Sequence, residues 1–125
     1  MNALFVFLGG GTGALARYCM GLAISHHTGN STFPYHTMSI NLLGAFLIGA
    51  LMEVLALRTS LPESVQFLLV TGFLGGFTTF SAFALESSLM LERGDYAACA
   101  IYIAVSVIGT IFLVFGGASA IKAIF

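Results

Sequence analysis

Apolar residues gather in four long blocks, at about residues 3–24, 38–57, 65–91 and 96–125, with short polar stretches between them. Each block reaches the roughly 20 residues that a helix needs to cross the hydrocarbon of a bilayer. The stretch SHHTGNSTFPYHT separates the first two blocks and RTSLPES the next two, both with loop chemistry, while ERGD makes a tight turn before the last. The pattern predicts an all-α membrane protein of four transmembrane helices, one integral membrane domain over residues 1–125.

The third block carries the most unusual stretch, TGFLGGFTTFSAFALE from Thr71 to Glu86. Gly72, Gly75 and Gly76 loosen the backbone there, Thr78, Thr79 and Ser81 add hydroxyls, and Phe77, Phe80 and Phe83 add rings. It reads as a helix broken near Gly75–Thr79. Freed carbonyls and amides are costly in lipid unless protein, water or an ion satisfies them, so a break at membrane depth normally lines a cavity or a site. Transporters use such breaks for ions.

Composition agrees with the pattern. The 125 residues are 58% hydrophobic and 7% charged, against roughly 25% charged in a soluble domain. No Lys or Arg precedes the first apolar block, so it is not read as a removable signal peptide and is expected to remain as a span. Cys19 and Cys99 both lie in apolar blocks and are read as small core residues. Four basic residues and a net charge of −1 leave no footprint for nucleic acid.

With an even number of spans, both termini share one side with Arg58 and Lys122, while Arg93 lies opposite and Arg17 is too deep to count. The positive-inside bias is nearly absent. Such a chain can insert in both orientations, and an antiparallel, dual-topology homodimer is expected.

The candidate chemistry lies along the helix faces. Gly9, Gly13, Arg17 and Gly21 recur every four residues, a small-residue stripe suited to close helix packing. A guanidinium inside a span is expensive, which makes Arg17 either a structural anchor or a group that attracts anions. Asn41, one turn into the second span, carries an amide that needs a partner: an interhelical bond, or a permeating anion bound through its NH2 donors. Glu53, near the far end of that span, is expected to be solvated, and Lys122 to snorkel to the interface. Thr79, Phe83 and Glu86 fall roughly on one face, with Phe80 beside Phe83. The two rings are either plain packing or a pair of electropositive edges facing a polar path. Glu86 is either paired with Arg17 or placed in a vestibule. Tyr102, Ser106 and Thr110 repeat every four residues as a hydroxyl stripe, either a polar track or a set of helix-association contacts.

Taken in order, GGGTGALARY, TMSIN from Thr37 to Asn41, GFLGGFTTFSAFALE and the Tyr102/Ser106/Thr110 stripe make the chain resemble the CrcB/Fluc family of fluoride channels over nearly its whole length. The resemblance implies passive, fluoride-selective conduction that exports cytoplasmic fluoride and confers resistance to it. It further implies a bacterial inner-membrane homodimer of antiparallel four-helix subunits, with two pores and a central structural sodium ion. The carbonyls of Gly75 and Thr78, from both subunits, would hold that sodium. The pore would use Phe80, Phe83 and Asn41, with a polar track of Ser81, Glu86, Tyr102, Ser106 and Thr110; Arg17 matches the family's first-span arginine. Two positions depart from the family: His36 stands where a Gly is usual, and Ala82 replaces a hydroxyl residue.

Other classes fit less well. A small multidrug-type proton-coupled antiporter shares the size and span number but would carry a first-span carboxylate, where this chain has Arg17. A scaffold protein would explain the glycine stripes and leave the break unexplained. An enzyme is not expected, nor is a metal site at His26, His27 and His36, which lack ligand geometry.

Overall fold

The computed structural model describes residues 1–29, 31–57 and 61–125, all of them helix, turn or loop. Its helices are α1 (Asn2–Thr28), α2 (Tyr35–Leu57), α3 (Glu63–Gln66), a π-helical segment (Phe67–Leu74), α4 (Gly75–Phe77), α5 (Phe80–Glu92) and α6 (Tyr96–Ile124). Four spans long and apolar enough to cross a membrane result: Asn2–Thr28, Tyr35–Leu57, the composite Glu63–Glu92, and Tyr96–Ile124. The chain is a multi-pass membrane protein. Large apolar side chains such as Phe7, Leu15, Phe112 and Phe115 point outward, as in helices that are apolar all round and face lipid.

α1 continues to Thr28, beyond the first apolar block, because its polar end bonds back onto itself. The His27 ring meets the Ala23 carbonyl at 2.7 Å, and Thr28 Oγ1 donates to the Ile24 carbonyl at 3.0 Å. Gly29, with φ 62°, then ends the helix. α2 starts right after Pro34, whose carbonyl accepts from the Met38 amide. The turn at ERGD is a Schellman motif: Gly94 takes φ 81°, its N–H donates to the Leu91 carbonyl, and the Asp95 N–H donates to the Met90 carbonyl. Arg58, counted above with Lys122, lies outside the described residues.

Two helix pairs form the body. α1 lies along the π-helical segment and α4, and α2 along α6. In both pairs the contacting positions advance together, so the partners run in the same direction. Their approach is close enough to exclude side chains. A Cβ on Gly13 would strike the Phe73 carbonyl, and one on Gly49 the Val114 carbonyl, while Gly117 meets the Phe46 carbonyl in the same way. The stripe on α1 divides: Gly9 and Gly13 are buried against the third span, whereas Arg17 and Gly21 line an open cavity. A small buried cluster of Phe83, Met90, Cys99 and Tyr102 joins α5 to α6, and Phe33 from the first loop packs on it.

The break falls at Thr78 and Thr79, inside the predicted window, but the glycines do not make it. Both threonines adopt extended backbone angles (φ −84°, ψ 158° and φ −152°, ψ 114°) open to any residue. Gly75 and Gly76 are helical. Gly76 instead permits contact with Gly10 of α1, and Gly72 with Gly9. These glycines therefore serve approach to α1, which is the correction to the reading of a glycine-loosened backbone.

Candidate functional site

The broken backbone is held by side chains. Asn41 Oδ1 accepts from the Thr79 N–H at 2.8 Å, and Asn41 Nδ2 donates to the Thr79 carbonyl at 3.0 Å. Thr79 also caps α5, its Oγ1 accepting from the Ala82 N–H at 3.2 Å. These bonds free two carbonyls. In a continuous helix the Thr79 N–H would donate to Gly75 O, and the Ala82 N–H to Thr78 O; both donors are diverted. Gly75 and Thr78 both line the cavity next to the break.

That cavity, of about 420 Å³, is mostly apolar and is also lined by Asn41, Phe80, Phe83, Ser106 and Thr110. Phe80 and Phe83 sit with ring centroids 5.4 Å apart at 37°. Phe83 is buried and packs on Tyr102 with ring centroids 5.2 Å apart at 47°, whereas Phe80 is 77% exposed. Ser106 is 6% exposed, and its Oγ has no hydrogen-bond partner among the described residues. A helical serine usually bonds the carbonyl one turn back. Thr110 does so, donating to the carbonyls of Ser106 at 2.6 Å and Val107 at 2.9 Å. The hydroxyl stripe therefore splits into a free donor at Ser106, an occupied one at Thr110, and Tyr102, which is committed elsewhere.

Tyr102 donates to Glu86 Oε2 at 2.6 Å, Thr37 Oγ1 donates to Glu86 Oε1 at 2.6 Å, and His36 Nε2 lies 3.3 Å from the same oxygen. Glu86 thus draws partners from α2 and α6. Of the two placements open to it, the structure gives the one without Arg17: it faces a second cavity, of about 380 Å³, lined by Arg17, Tyr18, His36, Thr37 and Glu86. Arg17 forms no ion pair or hydrogen bond with the described residues. Thr79 lines both cavities, so the two adjoin there.

The residues picked out from the sequence therefore separate. Asn41, Phe80, Phe83, Ser106, Thr110, Gly75 and Thr78 share one cavity; Glu86 and Arg17 share the other. Ser81 lines neither and sits on the exposed side of α5, its Oγ 3.3 Å from Thr79 Oγ1; Tyr102 is wholly buried between them. Two expectations away from the site are corrected. Cys19 is exposed on α1, and of the two cysteines only Cys99 is a core residue. Glu53 is not freely solvated: its side chain is 17% exposed and lies 3.6 Å from Lys122 Nζ. Thr37 and the capping role of Thr79 escaped the sequence reading. A Thr before the apolar run FSAF is an N-cap signal, and Thr37 lies one turn before Asn41 on the same face.

Four apolar spans, a break in the third, and beside it a mostly apolar cavity into which the unpartnered Ser106 hydroxyl and the Thr79-bound Asn41 amide are set define a small membrane protein built around its broken span. The chain belongs to the CrcB-like family: the family described as "CrcB-like protein, Camphor Resistance (CrcB)" matches residues 4–118. Three similar proteins are each named "Fluoride-specific ion channel FluC". That of Granulibacter bethesdensis is 48% identical over 107 residues, covering 86% of this chain and 84% of the relative. That of Hydrogenobaculum sp. is 46% identical over 117 residues, covering 93% and 94%. That of Rhizobium etli is 40% identical over 124 residues, covering 99% and 98%. These relatives are ion channels and not enzymes.

Proposed function

We propose that the chain is a passive, fluoride-selective channel, exporting cytoplasmic fluoride from bacteria and conferring resistance to it. It works in the inner membrane as an antiparallel, dual-topology homodimer with two pores. The observation that carries this reading is the buried, unpartnered hydroxyl of Ser106, set in the same cavity as Phe80, Phe83 and the Asn41 amide. A buried polar group without a partner costs about 1–3 kcal/mol. It is retained where a ligand can accept its bond.

The ligand chemistry follows from the lining. Fluoride is small and strongly hydrated, so a path must replace its water with donors. Ser106 offers an O–H, and Asn41 Nδ2 has a second N–H beyond the one given to Thr79. The ring edges of Phe80 and Phe83 add positive electrostatic potential without a fixed charge. Binding of this kind is weak enough to permit exit, which conduction requires. On the other side of Thr79, Arg17 attracts the anion and Glu86 orders Thr37 and Tyr102 around the entrance. Thr110, in the lining of the same cavity, and Ser81, whose Oγ lies 3.3 Å from that of Thr79, extend the hydroxyl track. The exposure of Phe80 beside the break supports a second subunit that covers it.

The Gly75 and Thr78 carbonyls, whose helical donors are diverted, suit a hard cation, and paired with those of a second subunit they would hold a structural sodium ion. Its role would be to neutralise carbonyl dipoles at the break. Fluoride efflux from liposomes, read with a fluoride electrode and with valinomycin balancing charge, tests the proposal. Fast fluoride release with little chloride loss is expected; no release from folded, sodium-supplied protein overturns it.

A further inference from the structure

The entrance cavity is lined by an imidazole, the side-chain class most used as a pH switch. His36 lies in the first turn of α2 and places Nε2 3.3 Å from Glu86 Oε1, the oxygen that also accepts from Thr37. The His36 side chain is 42% exposed and that of Glu86 19%. Water can therefore deliver a proton to the imidazole, while the carboxylate beside it is largely shielded. The ionisable groups around the pair come from every neighbouring helix. α1 supplies Arg17 and Tyr18, α5 supplies Glu86, and α6 supplies Tyr102, which bonds Glu86. His26 and His27, at the end of α1, do not line this cavity. Guanidinium groups and phenols hold their charge state across the range in which an imidazole titrates.

We infer that the His36 imidazole sets the charge of the entrance and makes anion conduction rise as the solution is acidified. The inference rests on the channel reading above. With His36 neutral, the entrance carries Arg17 against Glu86 and its formal charge is zero. With His36 protonated, the imidazolium offsets Glu86 and the Arg17 charge is left uncompensated. A narrow mouth with low-dielectric walls focuses that potential and raises the local anion concentration. One added charge a few ångströms from the path corresponds to a roughly five-fold gain in flux. Salt weakens it, because the Debye length is about 8 Å at physiological ionic strength.

The test is fluoride efflux from liposomes holding the same pH on both sides, at several values between about 5.5 and about 8, where imidazole titrates. Protein-free vesicles give the leak of hydrogen fluoride, to be subtracted. The wild type is expected to gain roughly five-fold toward the acid end. His36→Gln, which keeps a donor for Glu86 but cannot titrate, is expected to stay at the low level throughout. His36→Lys, permanently charged, is expected to stay at the high level. A wild-type flux independent of pH, or a His36→Gln variant that keeps the full acid response, overturns the role of His36 and leaves the channel reading standing. Absence of fluoride flux at every pH overturns the channel reading itself.

Discussion

The carboxamide of Asn41 clasps the backbone of Thr79 at both ends, accepting from its N–H at 2.8 Å and donating to its carbonyl at 3.0 Å. One side chain of α2 thereby replaces the ladder bonds that the third span gives up where it breaks. The same pairing diverts the helical donor of the Gly75 carbonyl and leaves Asn41, a residue of the cavity lining, with one amide hydrogen beyond the bond to Thr79. The break and the path are thus parts of a single arrangement.

Replacing Asn41 tests that arrangement. Asn41→Leu leaves an N–H and a carbonyl of Thr79 without partners in a lipid-bounded interior, at a cost of about 1–3 kcal/mol each. A clear fall in thermal stability, read by size-exclusion after heating in detergent, is expected together with loss of flux. Asn41→Asp keeps the acceptor for the Thr79 N–H, so it should recover part of the stability; its negative charge in the cavity should still abolish fluoride passage.

Thr79 acts through its cap. Thr79→Val removes the oxygen that accepts from Ala82 while keeping the shape, and should cost about 1 kcal/mol. Thr79→Ser keeps the oxygen and should melt close to the wild type. Paired thermal melts of the two variants separate the loss of the cap from a change in packing.

Ser106 gives the sharpest separation of stability from function. Its hydroxyl makes no bond with the described residues, so Ser106→Ala removes no protein interaction and should leave stability within about 0.5 kcal/mol or raise it. Flux should nonetheless fall, by roughly ten-fold if one donor to the anion is worth about 1.4 kcal/mol. Melting temperature and efflux measured on the same preparation check both halves.

Much of this was legible from composition and spacing. Four blocks of sufficient length fixed the spans, and a polar, glycine-rich run inside one of them located the break. What escaped depends on partners distant in sequence. Asn41 and Thr79 are 38 positions apart, and Thr37 and Glu86 are 49 apart. No local rule pairs them. Helical phase was also lost at the break: two extended residues, Thr78 and Thr79, reset the rotation of α5, so counting from one side could not tell that Ser81 turns outward. Glu53 was assigned to water from its place near a helix end, where Lys122 of α6 in fact meets it. Gly72 and Gly76 were assigned to flexibility because the α1 backbone that requires them is invisible in the sequence.

The paired rings carry unequal loads. Phe83 is buried against Tyr102 while Phe80 is exposed, so in Phe80→Ile with Phe83→Ile the structural cost falls on Phe83 and should stay under about 1.5 kcal/mol. Efflux should disappear while the size-exclusion profile remains that of the wild type. Undiminished efflux would remove the rings from the path.

The most direct test of passive, selective conduction is the reversal potential of the purified protein in a planar bilayer, with unequal fluoride on the two sides and chloride in the opposite gradient. The account predicts a reversal near the fluoride equilibrium potential that a proton gradient across the membrane does not displace. A reversal that follows chloride equally, or one that moves with the proton gradient, would contradict it.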